Sequence, residues 1–274
     1  MLSLPRISGG PYVMGVLNLT PDSFSDGGKW VDADAALAHA LAMVEGGADI
    51  IDVGGESTRP GADAVSAEEE TSRTAPLIEA IRARSDVTLS IDTMKPDVAR
   101  AAFEAGAAIW NDVTALSFSP DAPATAAELG GDVILMHMKG EPRTMQDDPR
   151  YDDVVAEVTE YLKARAAVAE AAGVAREKIW IDPGIGFGKT TAHNFALMRA
   201  LGKMKTETGC KLLFGASRKS FIGRLDNKAP ADRRLGGSLA AALLAAQAGA
   251  DMVRVHDVAE TAQALKVWRA MSHG

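Results

Sequence analysis

Short apolar runs alternate with longer alanine-rich stretches along the whole chain. The apolar runs are nearly continuous, which is typical of parallel strands buried on both faces. They predict eight strands, at residues 12–17, 49–53, 87–91, 107–110, 132–136, 179–181, 211–214 and 252–255. The stretches between and after them predict eight helices, near residues 33–46, 67–84, 96–105, 121–130, 152–172, 191–203, 231–248 and 257–271.

Strands and helices alternate strictly, and this pattern predicts an α/β fold with a parallel sheet. Eight strand–helix units in 274 residues fit a (β/α)8 TIM barrel better than an open doubly wound sheet. The first predicted strand is not followed by a Gly-x-Gly-x-x-Gly motif, which also disfavours a dinucleotide-binding sheet. No stretch resembles a linker, so residues 1–274 are predicted to form a single domain.

Composition and charge narrow the class of protein further. The chain has 29 basic and 37 acidic residues and a net charge of −8, which argues against a nucleic-acid-binding protein. Its one cysteine, Cys210, excludes a disulfide framework and a cysteine-based zinc site. No apolar stretch approaches the roughly 18 residues of a membrane span, and residues 1–10 lack the apolar core of a signal peptide. We therefore expect a cytoplasmic protein.

Polar side chains follow the predicted strands, at the end where the active site of a TIM barrel is found. They are Asn18, Asp52, Asp92, Asn111, Asp112, His137, Asp182, Ser217, Arg254 and His256. Asp92, Asn111 and Asp182 follow apolar runs directly and are expected to converge on one pocket. Asp52 and Asp112 could equally be helix caps, because aspartate often accepts hydrogen bonds from free N–H groups at a helix start.

Two predicted loops at the same end are rich in glycine, proline and hydroxyl side chains. Residues 18–28 include Phe24, and residues 54–61 include Arg59. Loops of this kind above a barrel mouth are interpreted as mobile lids rather than as plain surface loops. Phosphate groups commonly bind after the seventh and eighth strands of this fold, where the sequence has three cationic side chains, Arg218, Lys219 and Arg254. These features predict an enzyme that binds a phosphorylated, polar heterocyclic substrate.

Eight short motifs lie at the predicted strand ends. They are MGVLNLTPDSFSDGG at 14–28, DVGGESTRPG at 52–61, SIDT at 90–93, WNDV at 110–113, LMHM at 135–138, DPGIGFGK at 182–189, GASRKSFIG at 215–223 and RVH at 254–256. In this order they resemble the motifs of the dihydropteroate synthase family of folate biosynthesis, over essentially the whole chain. The resemblance implies a transferase that joins 6-hydroxymethyl-7,8-dihydropterin diphosphate to p-aminobenzoate, giving 7,8-dihydropteroate and pyrophosphate, with Mg2+.

The resemblance also implies roles for individual residues. The pterin pocket would be formed by Asp92, Asn111, Asp182, Lys219 and Arg254. The diphosphate would be held by Asn18, Arg254 and His256, with Asn18 also binding Mg2+. The p-aminobenzoate pocket, where sulfonamides would compete, would be formed by Phe24, Thr58, Arg59, Pro60, Phe187 and Ser220.

For catalysis, the resemblance points to Asp26, Asp92 and Lys219. Loss of pyrophosphate first would leave a pterin cation, which the two aspartates could stabilise by their charge. The family also implies a homodimer formed through helices on one side of the barrel.

Two alternatives stay open at this point. A pterin-dependent methyltransferase barrel of the corrinoid type would share the pterin pocket but has no need of the loop motifs at 20–28 and 57–60. A catalytically silent paralogue would bind a pterin or a partner without turnover. Against it stand five intact candidate residues, Asn18, Asp26, Arg59, Lys219 and His256.

Overall fold

Eight parallel strands close into a barrel in which each strand pairs with its neighbours in chain order. The computed structural model describes residues 10–19, 29–57, 64–140 and 144–272. The strands are β1 (Tyr12–Asn18), β2 (Ile50–Gly54), β3 (Thr88–Asp92), β4 (Ile109–Asp112), β5 (Asp132–Met136), β6 (Ile179–Asp182), β7 (Lys211–Phe214) and β8 (Met252–Val255). Because β8 pairs with β1, the sheet has no open edge. The predicted (β/α)8 TIM barrel is confirmed.

Helices cover the outside of the barrel. The described residues form α1 (Lys29–Glu45), α2 (Ala67–Arg82), α3 (Pro96–Glu104), α4 (Ala122–Leu129), α5 (Val154–Ala172), α6 (Thr191–Arg199), α7 (Leu201–Thr208), α8 (Ser220–Leu225), α9 (Leu235–Gln247) and α10 (Val258–Ser272). The prediction of one helix over 191–203 is wrong, because Ala200, with ψ of 3°, separates α6 from α7. The short helix α8 was not predicted. The helix expected from residue 231 begins only at Leu235, after a 3-10 turn at Ala231–Arg233.

The barrel interior has an apolar floor with a polar layer above it. The floor is formed by the buried side chains of Met14, Ile50, Ile109, Ile134, Trp180, Leu213 and Met252. Because strand side chains alternate between the two faces, the next inward positions lie two residues further along each strand. Four of these positions are polar, namely Asp52, Asn111, Asp182 and Arg254. The interior therefore turns polar at the strand ends, where the active site of this fold is expected.

A larger apolar core lies between the strands and the helices. It includes strand residues whose side chains point outward, among them Ile51, Val53, Leu89, Ile91 and Ile181. Burial on both faces explains why the strands read as continuous apolar runs in the sequence. Within the described ranges, the helices are too short or too polar to cross a membrane.

Candidate active site

Arg254 on β8 lies between two carboxylates that come from β2 and β3. Its Nε donates to Asp52 Oδ2 at 2.6 Å, and its Nη2 donates to Asp92 Oδ2 at 2.6 Å. Asn111 on β4 donates from Nδ2 to the same Asp52 oxygen at 3.0 Å. Burial raises the pKa of Asp92 to about 7, because the charge of Arg254 only partly offsets the lost solvation. The four side chains form one connected network directly above the barrel floor.

Asp182 ends β6 and is held by the turn that follows it. Its Oδ1 accepts a hydrogen bond from the Gly184 N–H at 2.7 Å. Burial raises the pKa of this carboxyl, while the Gly184 N–H, Lys219 and Arg254 act in the opposite direction. A Cβ at Gly215 would lie 3.8 Å from Asp182 Oδ2 and 3.7 Å from Arg254 Cβ. Glycine at this position therefore leaves free the space between the Asp182 carboxylate and the base of the Arg254 side chain.

Lys219 and Phe187 meet on the neighbouring side of the site. Lys219 directly precedes α8, and its Nζ lies 4.1 Å from the centroid of the Phe187 ring, a cation–π arrangement. Burial lowers the pKa of Lys219 to about 8, and the carboxylates of Asp182 and Asp92 oppose this shift. The site thus combines the Lys219 cation and the Phe187 ring with the carboxylates of Asp182 and Asp92, which act on the lysine through their charge.

A buried lysine supports the loop that carries Phe187. Lys189 is 1% exposed, and its Nζ donates to the carbonyl oxygens of Phe187 at 2.8 Å and His137 at 3.2 Å. The same nitrogen lies 2.9 Å from His137 Nδ1. Burial lowers the pKa of Lys189 to about 7 and that of His137 to about 3, so the imidazole is neutral and can accept from the lysine. The sequence pattern does not reveal this role of Lys189, although the residue lies at the end of the glycine-rich motif 182–189.

Several of these side chains surround one cleft at the mouth of the barrel, whose volume is about 470 Å³ when the space open to solvent is included. It is lined by Asp92, Asn111, Val113, Met136, Asp182, Ile185, Phe187, Gly215, Ser217, Lys219 and Arg254. The structure therefore brings together all five residues expected to bind the pterin, and Phe187 beside them. The role of each residue stays a prediction.

The remaining candidate residues are not among those that line the cleft, and some lie outside the described residues. His256 donates from its backbone N–H to Ser217 Oγ at 3.2 Å, and its Nδ1 lies 3.1 Å from the same hydroxyl. Ser217 lines the cleft, so His256 stands directly behind this wall. Ser220 is the exposed first residue of α8. Five candidates fall outside the described residues: Phe24, Asp26, Thr58, Arg59 and Pro60.

Asn18, the expected Mg2+ ligand, ends β1 beside the same cleft. A Cβ at Gly54 would lie 3.5 Å from Asn18 Oδ1 and 3.6 Å from Asp92 Cβ, so the amide oxygen and Asp92 flank one glycine. An amide oxygen suits Mg2+, which keeps several waters and takes few protein ligands when it also binds phosphate oxygens. The described part of the chain has no group of three or more His, Cys, Asp or Glu side chains suited to a metal. The residues present therefore fit Mg2+ bound together with a diphosphate.

Together, fold and site define a TIM-barrel enzyme whose cleft offers both carboxylates and cations to its ligand. A family model described as "Pterin binding enzyme" matches residues 14–256. The chain is 52% identical over 260 residues to dihydropteroate synthase of Escherichia coli (strain K12), covering 95% of this chain and 91% of the relative. It is 51% identical over 265 residues to that of Neisseria meningitidis serogroup B, covering 95% and 93%.

Solved structures agree with these sequence comparisons. The Xanthomonas albilineans dihydropteroate synthase with 4-aminobenzoic acid superposes with a TM-score of 0.91 at 50% identity, covering 100% of this chain and 96% of that chain. The Yersinia pestis enzyme in a sulfonamide drug complex gives a TM-score of 0.91 at 45% identity, covering 100% and 97%. The chain therefore belongs to the pterin-binding enzyme family and, within it, to the dihydropteroate synthases, which are transferases. The methyltransferase alternative is set aside.

Proposed function

We propose that this chain condenses 6-hydroxymethyl-7,8-dihydropterin diphosphate with p-aminobenzoate to give 7,8-dihydropteroate and pyrophosphate. The observation that carries the proposal is the cleft in which carboxylates and cations face each other. A pterin offers N–H donors to the carboxylates, and its diphosphate offers negative charge to the cations. The Xanthomonas albilineans enzyme has been solved with 4-aminobenzoic acid and with 7,8-dihydropteroate, which supports the same pair of ligand classes for this chain.

The pterin would lie in the open space beside Gly215. Asp182 uses Oδ1 for the Gly184 N–H and has Oδ2 directed at this space, so Oδ2 can accept from the amide–guanidine edge of the ring. Asp92, Asn111 and Lys219 would address the other ring heteroatoms. The planar guanidinium of Arg254 would lie against the ring face.

The diphosphate would lie at the rim, where Asn18, Arg254 and His256 can hold it. Mg2+, bound there by Asn18 and the diphosphate, would neutralise part of the leaving-group charge. In the proposed reaction, the bond between the exocyclic methylene carbon and the diphosphate oxygen breaks first, and pyrophosphate leaves with the electron pair. The amine of p-aminobenzoate then attacks the methylene carbon and loses a proton.

Stabilisation of the intermediate cation would be electrostatic. The dihydropterin ring donates electron density to the methylene carbon, and a nearby carboxylate lowers the energy of the positive charge further. Asp92, which lies in the cleft, supplies one such carboxylate. Asp26 would supply another from the loop after β1. Lys219 completes the set of proposed catalytic residues by holding the ring heteroatoms in place.

p-Aminobenzoate would bind on the Phe187 side of the cleft. The aromatic ring would pack against Phe187, whose ring already has Lys219 Nζ at 4.1 Å from its centroid, and against the aliphatic part of Lys219. Its carboxylate would meet Ser220 and the loop that contains Thr58 and Arg59, with Phe24 and Pro60 enclosing the ring. A sulfonamide would compete for this pocket, as the solved Yersinia pestis sulfonamide complex suggests for its own chain.

We further propose a cytoplasmic homodimer that packs through α9 and α10. These helices expose large apolar side chains on the outside of the barrel, with Leu244 59%, Val267 57% and Met271 82% exposed. The two helices contact each other, and exposed apolar side chains on neighbouring elements often mark a protein interface. Light scattering on the purified protein should give twice the monomer mass, and Leu244→Glu should shift it to the monomer. A monomeric wild-type protein would contradict the dimer without affecting the proposed reaction.

The proposed reaction can be tested by turnover of the purified protein. The protein is incubated with the dihydropterin diphosphate, p-aminobenzoate and Mg2+, and dihydropteroate and pyrophosphate are quantified. Equal amounts of the two products are expected, and none when any one component is left out. Pterin binding without turnover would instead indicate a silent paralogue, and neither binding nor turnover would refute the proposal altogether.

A further inference from the structure

Asp52 is a buried carboxylate whose hydrogen bonds all go to side chains of the cleft network. It is 0% exposed, and its Oδ2 accepts from Arg254 Nε and Asn111 Nδ2. Its Oδ1 is buried and has no hydrogen-bond partner among the described residues. A carboxylate that leaves water without full compensation costs free energy. A function of Asp52 other than stabilising the local fold would account for this cost.

Asp112 shows what a purely local role looks like at the same end of the barrel. It is also 0% exposed, but both of its oxygens accept from the turn that follows it. The donors are the N–H and hydroxyl of Thr114 and the N–H of Leu116, each at 2.7 Å. Asp112 therefore organises its own turn. In the described residues, Asp52 accepts no bond from its own loop, and the side chain that caps the following helix α2 is Ser66, which accepts from the Glu69 N–H.

The contact with Asn111 decides which way its amide points. A carboxylate can only accept, so the amide group must direct its Nδ2 at Asp52. The Asn111 carbonyl oxygen then points away from Asp52. Because Asn111 lines the cleft, this oxygen is left to accept from an N–H of a bound ligand. Asp52 in this way gives the pocket an acceptor where a flipped amide would present a donor.

The contact with Arg254 fixes the guanidinium independently of Asp92. Asp52 binds the Nε edge, while Asp92 binds Nη2. If Asp92 turns to a bound ligand, Arg254 still keeps one charge-assisted hydrogen bond that holds its plane in place. The guanidinium can then stay in the orientation needed to cover a ring and to reach a diphosphate.

We infer that Asp52 is a positioning and specificity-determining residue of the pterin site, which orients the Asn111 amide as an acceptor and anchors Arg254. The inference rests on the proposed function, since it requires that the cleft binds the pterin. It predicts that loss of the Asp52 carboxylate harms recognition of the pterin and not of p-aminobenzoate.

The test compares Asp52→Asn with the matched variant Asp112→Asn. Both replace a fully buried carboxylate at the same end of the barrel by an isosteric amide. In Asp52→Asn we expect kcat/KM for the pterin diphosphate, and the affinity for a pterin without diphosphate measured by calorimetry, to fall about tenfold or more. The KM for p-aminobenzoate, measured at a saturating concentration of the pterin diphosphate, should not change. Asp112→Asn should lower the melting temperature and leave pterin affinity as in the wild type.

The outcomes separate this inference from the proposed function. Wild-type protein that neither binds the pterin nor turns over would refute the proposed function itself. Wild-type turnover with a folded Asp52→Asn variant that binds the pterin within twofold of wild type would overturn the role of Asp52. Equal losses of pterin affinity in both variants would also overturn it, because they would mean a general structural effect.

A measurement on the wild type covers the case in which Asp52→Asn does not fold. The side-chain amide resonances of Asn111 can be assigned by their absence in the spectrum of Asn111→Ala. Their exchange with solvent should be much slower than that of the exposed Asn227, because Nδ2 is buried and bonded to Asp52. Exchange as fast as in Asn227 would contradict the inference.

Discussion

Gly184 is the position at which a single methyl group should most clearly disturb the site. Its φ is +65°, and a Cβ there would lie 1.9 Å from the backbone oxygen of His137. Gly130, at the end of α4, has a nearly identical φ of +63°, but nothing lies within 4 Å of its Cβ position. Gly184→Ala and Gly130→Ala therefore share the conformational cost of a left-handed alanine and differ in the steric clash.

The size of the effect follows from these two terms. A left-handed backbone costs an alanine about 1–2 kcal/mol, which is the whole expected cost of Gly130→Ala. The clash at Gly184 is with backbone and can be relieved only by moving one loop away from the other, which adds about 1–3 kcal/mol. For a chain of this length, 1 kcal/mol lowers the melting temperature by about 2 °C. We expect a drop of about 2–4 °C for Gly130→Ala and about 4–10 °C for Gly184→Ala.

The clash should also disturb contacts in the candidate active site. The His137 oxygen accepts from Lys189 Nζ, and the Gly184 N–H donates to Asp182, so moving either segment displaces at least one of these contacts. Differential scanning calorimetry gives the melting temperatures, and titration with a pterin lacking diphosphate gives its affinity. Gly184→Ala should weaken pterin binding, whereas Gly130→Ala should leave it unchanged. Equal melting temperatures and equal affinities in the two variants would refute the reasoning.

Three further predictions follow from the site. Asn18→Ala should weaken binding of pyrophosphate with Mg2+ in calorimetry and spare a pterin without diphosphate; equal losses for both ligands would indicate a structural role. The pKa of Asp92 is raised from 3.8 to about 7, so its carboxylate becomes protonated as the pH falls through that value. We therefore expect kcat/KM for the pterin diphosphate to decline below about pH 7. The same decline in Asp92→Asn would show that another group causes the decline. p-Aminobenzoate should bind tightly only when pterin, pyrophosphate and Mg2+ are present, and equal affinity for the free enzyme would mean that its pocket is already formed.

The positions of the strands were predictable because burial on both faces makes most of their residues apolar. The residues at which the strands end were not predictable in the same way. Five strands continue past the last residue predicted from the apolar run, and their final residues are Asn18, Gly54, Asp92, Asp112 and Asp182. An apolar pattern stops at the first polar side chain, whereas the hydrogen-bond ladder of the sheet does not depend on side-chain polarity. Most of the residues added in this way are candidates for the site.

For the helices, the sequence pattern fails in the opposite way, because it predicts helix too broadly to locate breaks and short helices. Alanine-rich stretches predict helix almost everywhere, so the break at Ala200 between α6 and α7 left no signal. The short helix α8 follows Lys219 within a motif whose cationic side chains predict a phosphate-binding loop. Its start matters for the site, because Ser220 and Lys219 stand at its amino-terminal end. Tertiary contacts decide such details, and they outweigh the weak local propensities.

The distinction between Asp52 and Asp112 could not be made from the sequence. Both aspartates stand at or near the end of an apolar strand, and local spacing allows a helix cap or a site residue in either case. The difference lies in partners that are distant in the chain, since Arg254 is 202 residues away from Asp52. Asp112 finds its partners within four residues. Local patterns can reveal a residue's chemistry and its strand, but only the closed barrel brings Arg254 to Asp52 and shows which of the two carboxylates belongs to the cleft network.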